Sequence, residues 1–250
     1  MKRTSYYLAL RLAVVGFCLF GMSACSKDDT TDTDESIPQS ADLGLVVKID
    51  ENDKANGNHS FWRKDEYTFY VDDIEYTLRN KNERDSILSV TSYDVSFKGD
   101  ANIISVLIYH GKKMIVEEIH GEAFYNCKTL ETVTIPNSVI DIDVYAFWNC
   151  TNLTSAIIGD GVTQVIHTIF DGCEKLKVVS LGRNVKIFEG FYNCISLMDL
   201  YCYAETPPYV DSITWPVDGK NLTLHVPSSC VDIYKQTKPW NRIENIVPIK

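Results

Sequence analysis

The 250-residue sequence contains no CxxC pair, no HExxH stretch, no phosphate-cradling glycine loop and no nucleophile elbow. Each absence removes a familiar chemistry: dithiol exchange or thiolate zinc, zinc hydrolysis, nucleotide binding, and serine hydrolysis. Basic residues are scarce, 24 Lys+Arg against 34 Asp+Glu, for a net charge of −10. An acidic surface repels phosphate backbones, which argues against nucleic acid as a partner. Long apolar runs are missing too. The run Leu12 to Met22 is eleven residues, too short to span a bilayer. Asp141-Ile142-Asp143 lacks the further carboxylates and glycine of a calcium loop.

What the N-terminus does have is an export pattern. Lys2, Arg3 and Arg11 precede or flank the apolar run, and small residues Ser23 and Ala24 precede Cys25. This fits a cleaved secretory signal over residues 1–24. Met22-Ser23-Ala24-Cys25 resembles the bacterial lipobox, in which the cysteine thiol is acylated and becomes the first mature residue. Residues 25–41 are polar and acidic and cannot bury enough apolar surface to fold, so they read as a flexible tether. Its start, Ser26-Lys27-Asp28-Asp29, resembles the surface-export signal of Bacteroidetes-type lipoproteins. That resemblance implies an outer-membrane lipid anchor and display on the cell surface. Loss of residues 1–24 removes three positive charges and makes the remaining chain more acidic.

The strongest internal signal is a phrase that repeats. Ala123-Phe124-Tyr125-Asn126-Cys127 returns at Ala146 to Cys150, at Ile169 to Cys173 and at Gly190 to Cys194. A leucine follows each cysteine by three residues: Leu130, Leu153, Leu176 and Leu197. The steps are 23, 23 and 21 residues. One such unit cannot bury its own apolar face, so it must stack on its neighbours. Leu130, Val133, Ile135, Val139 and Ile142 form apolar columns with their counterparts in later units, and Pro136, Gly159 and Gly182 end a short strand. Phe124, Phe147, Phe170 and Phe191 are read as core. So are Cys127, Cys150, Cys173 and Cys194, one per unit, as unbridged buried thiols. Equivalent residues in adjacent strands lie about 5 Å apart with parallel side chains, a poor geometry for a disulfide. A column also does not converge on one point, as a metal site must. Asn126, Asn149, Gly172 and Asn193 tolerate positive φ and predict a left-handed residue before each cysteine.

The pattern Ile-x-x-x-Ala-Phe-x-Asn-Cys-x-x-Leu-x-x-Val-x-Ile-Pro-x-x-Val, Ile119 to Val139, resembles the BspA-like leucine-rich repeat of bacterial surface proteins. Phe69 to Leu78 with Ser89-Val90-Thr91 resembles that family's N-terminal hairpin, and Pro207 to Pro248 its C-terminal segment. The resemblance implies an α+β, mainly β solenoid: a short right-handed superhelix of about four coils over residues 116–203. It would carry an N-terminal β cap within 42–115 and a C-terminal cap over 204–250. Residues 42–64 carry no readable signal.

Function is then expected from a surface. Thr132, Thr134, Ser155, Ile157, Val178, Ser180, Asp199 and Tyr201 alternate with core positions and should face outward from the strands. Tyr125, Trp148 and Tyr192, with Asp171 between, form a second exposed column. Exposed aromatics are enriched where proteins recognise other molecules. The five histidines fall in no shared column and are read as surface or turn residues. The reading is a non-catalytic binding protein without cofactor or metal. Its partner is an extracellular or host protein, or alternatively a glycoconjugate in a nutrient-uptake system.

Overall fold

The computed structural model describes residues 44–79, 87–93, 97–166, 168–189, 191–210 and 221–249. Residues 1–24, the tether and Cys25 lie outside these, as do His167 and Gly190. The described chain is mainly β.

Residues before the repeats build a mixed sheet. Its strands are β1 (Val46–Ile49), β2 (Phe61–Arg63), β3 (Thr68–Val71), β4 (Ile74–Leu78), β5 (Ile87–Tyr93), β7 (Val106–Tyr109) and β8 (Lys112–Ile119), ordered β1-β7-β8-β5-β4-β3-β2. The expected hairpin is β3–β4. Asp72 and Asp73 both take positive φ, 50° and 62°, the two-residue turn whose twist suits a tight hairpin. Buried Phe69, Val71, Ile74, Tyr76, Leu88 and Val90 line the core side of this sheet.

The repeats build a second sheet, all parallel. It consists of β6 (Gly99–Asn102), β9 (Leu130–Ile135), β11 (Ser155–Ile158), β13 (Val178–Leu181), β15 (Asp199–Cys202), β17 (Thr223–Val226) and β18 (Asn245–Pro248), in that spatial order. The ladder runs beyond residues 116–203 at both ends. β6 joins it from the region read as cap, and β17 and β18 join from the C-terminal segment. The short strands β12 (Gln164–Val165), β14 (Ile187–Phe188) and β16 (Tyr209–Val210) form a third parallel ladder. β10 (Asp141–Ile142) pairs with β8 instead and so ties the repeats to the mixed sheet.

The core is a set of columns. Phe124, Phe147, Phe170 and Phe191 are each 0–1% exposed. The first three stack nearly flat, with centroids 5.2 Å apart and interplanar angles of 12° and 9°. Phe191 breaks the pattern and meets Phe170 edge-on at 60°. The two-residue shortening of its repeat brings Phe188 against it, 5.1 Å away, and Phe188 in turn stacks on Trp240. Asn126, Asn149, Gly172 and Asn193 all have positive φ, between 56° and 78°, as their residue types predict. All six described cysteines are free and buried, Cys202 and Cys230 included. Cys202 contacts the Tyr234 hydroxyl at 3.2 Å under the only described α-helix, α1 (Val231–Gln236).

Candidate binding surface

Strand alternation sends every second side chain of the parallel sheet away from the core. The register makes two columns of these. One runs Asp100, Thr132, Ser155, Val178, Asp199, Thr223, Asn245. The other runs Asn102, Thr134, Ile157, Ser180, Tyr201, His225, Val247. All eight face residues expected from the sequence stand in these columns. Seven are partly accessible. Ser180 is not: it is 3% exposed, because its short side chain lies between the longer Ile157 and Tyr201.

The face has a polar end and an aromatic end. At the first, Thr132 Oγ1 donates to Asp100 Oδ1 at 2.6 Å. At the second, the Tyr201 and His225 rings stack with centroids 4.1 Å apart at 7°. His225 Nε2 lies 2.8 Å from Asp199 Oδ1. Partial burial, and secondarily the Asp199 carboxylate, push the Tyr201 hydroxyl pKa upward. His225 is thus a surface residue of the outward column, the only described histidine in it. The signal was present: Thr223-Leu224-His225-Val226 alternates as the earlier strands do. The Phe-x-Asn-Cys phrase does not precede it, so it reads as part of the terminal segment.

The aromatic column is real but interrupted. Tyr125 and Trp148 stack at 4.8 Å and 13°, so each covers one face of the other. Asp171 follows and accepts from Asn193 Nδ2 at 3.3 Å. Tyr192 stands alone beyond it, 55% exposed. Among the described residues no group of three His, Cys, Asp or Glu side chains is arranged to hold a metal. No described helix is long and apolar enough to cross a membrane.

The family comparison matches residues 93–207, in six copies, to the description "BspA type Leucine rich repeat region". Residues 93–207 are a BspA-type leucine-rich-repeat region. The repeat region accounts for β6 through β15 and for every face residue read from the sequence. Similar solved structures are bacterial leucine-rich-repeat proteins. One from Bacteroides capillosus is 24% identical, covering 55% of this chain and 99% of its own, with TM-score 0.47. The Treponema pallidum leucine-rich-repeat protein is 22% identical over 63% and 70%, with TM-score 0.48. One from Bacteroides ovatus is 15% identical over 72% and 67%, with TM-score 0.39. No curated protein matches the chain.

Proposed function

We propose that the protein is a lipid-anchored, surface-displayed binding module, tethered through Cys25 to the outer membrane and devoid of catalysis. Its parallel ladders would form a short right-handed solenoid, closed by the mixed sheet at one end and the α1 region at the other. The partner is an extracellular or host protein bound across the strand face. One observation supports this best: fourteen positions in register on the strand face, all but Ser180 accessible. Repeat surfaces of this kind present a continuous platform to a partner. The Tyr201–His225 stack supplies a rigid aromatic anchor of the type that dominates protein interfaces.

The alternative, glycan capture by Tyr125, Trp148 and Tyr192, is less favoured. Tyr125 and Trp148 occupy one another's faces, and Asp171 separates them from Tyr192.

The test is capture of secreted and surface proteins on immobilised residues 41–250, repeated with Tyr201→Ala and with Thr132→Arg. A partner lost with the face variants and retained with Tyr125→Ala supports the proposal. Equal capture by all of them refutes it.

A further inference from the structure

A second surface stands apart from the repeat region. Trp62 lies in β2, the last strand of the mixed sheet, with β3 on one side and no paired strand on the other. It is 42% exposed. Such a ring is ordinarily a loose cover. Here it is pinned. Trp62 sits directly opposite Tyr70, and the two rings lie flat on each other, 3.7 Å between centroids at 5°. Tyr70, 7% exposed, is itself held by its hydroxyl, which donates to Glu75 Oε2. Glu75 Oε1 accepts from Thr91 Oγ1 at 2.8 Å, and Lys64 Nζ reaches Oε2 at 3.5 Å.

The row Trp62, Tyr70, Glu75 therefore runs across three strands as a rigid shelf. No other ring among the described residues covers the second face of the indole. Its Nε1–H has no hydrogen-bond partner among them. The Lys64 side chain is 57% exposed beside the shelf, and its pairing with Glu75 leaves the spot close to neutral. The adjoining surface residues Asp65, Glu66 and Asp73 are charged rather than apolar.

We propose that this shelf binds the pyranose ring of a neutral glycan. The C–H face of a pyranose matches a flat, open indole. Its hydroxyls match the donors beside that face: Nε1–H and the exposed Lys64 ammonium. Fixing the ring beforehand removes the ordering cost that weakens most exposed contacts. A protein partner fits less well, since a stable interface needs roughly 800 Å² per side around a desolvated apolar centre. The site is separate from the strand face, and neither proposal depends on the other.

The experiment is titration of the full chain with soluble starch, xylan, mannan and mixed-linkage glucan by affinity electrophoresis and calorimetry, with melting curves in parallel. At least one polysaccharide should retard the protein. Trp62→Ala should weaken that binding about tenfold or more, the effect of losing a central aromatic contact. Tyr201→Ala should leave it unchanged. Trp62→Phe and Lys64→Ala, which keep the strand pairing, should weaken it less and carry the test if Trp62→Ala fails to fold. Retardation by none of the four overturns the proposal. So does unchanged affinity in folded Trp62 variants, or Trp62-dependent capture of a protein in place of a polysaccharide.

Discussion

The Cys150 thiol donates to the main-chain oxygen of Phe124, 3.1 Å away and one repeat earlier. Cys173 does the same to Phe147 at 3.2 Å, and Cys194 to Phe170 at 3.2 Å. Cysteine thus fills a small apolar slot and also supplies a weak donor to a carbonyl that already accepts from the backbone. No other residue of that volume does both in this geometry.

The thiols should accordingly be unreactive in the folded protein. Alkylation of native, unreduced protein followed by mass spectrometry should leave Cys127, Cys150, Cys173 and Cys194 unmodified. All four should label after unfolding. Disulfide-linked peptides among them would sink the column arrangement. Cys150→Ala should cost about 1–2 kcal/mol, a lost contact plus a small void.

The thiols also set an alkaline limit. Burial pushes Cys194 from an ordinary 9.0 up to about 12, and pushes Cys202 to about 11. Unfolded thiols lose protons near pH 9 while the folded ones keep theirs, so the unfolded state binds fewer protons above that pH. The stability these groups contribute is fully present below pH 9 and is lost as pH rises toward 11–12. Urea midpoints measured from pH 8 to 10.5 should fall, and should fall less steeply for Cys202→Ala.

Phe147 lies between Phe124 and Phe170 and is fully buried. Phe147→Ala should destabilise by about 3–5 kcal/mol through the cavity it opens. Chemical denaturation measures this directly. A loss under 1 kcal/mol would mean that the stack closes over the gap.

Gly182 marks a tight approach between repeats. A Cβ there would stand 2.5 Å from the main-chain oxygen of Gly159. Gly182→Ala should therefore cost about 1–3 kcal/mol, as overpacking does, with the cost visible in the melting temperature. Ser180→Glu should be similarly damaging, because its site between Ile157 and Tyr201 has no room for a solvated carboxylate. Thr132→Arg, at an accessible position, should stay within about 1 kcal/mol even after losing its bond to Asp100.

Anchoring is testable by one substitution. Cys25→Ala should shift the protein from the membrane fraction to the soluble one. A variant that stays with the membrane would end the lipoprotein reading.

The repeats were legible because each core column demands one residue type at a fixed step. Phe124, Cys127 and Leu130 announce their neighbours, and Asn126 announces a left-handed backbone. The outward columns followed from strand alternation alone. Three things were not legible. Ser180 is shaded by side chains on adjacent strands, and shading is a property of the neighbours rather than of the serine. β6, β17 and β18 keep strand alternation but not the full Phe-x-Asn-Cys phrase, so sequence gave no count of them. The Trp62–Tyr70 stack is the third: a cross-strand stack is set by register, which a segment without readable periodicity does not disclose.

The side-chain rung from Asn149 Nδ2 to Asn126 Oδ1, 2.9 Å, joins consecutive repeats on the outside of the core. Strands β11 and β13 are also paired on both sides, whereas β18 has a partner on one side only. Amide protons of β11 and β13 should exchange with deuterium only when the whole molecule opens. Those of β18 should exchange by fraying, giving a protection gradient that falls toward the C-terminal edge. Proteases and chaperones that meet this protein would then find their foothold at that edge.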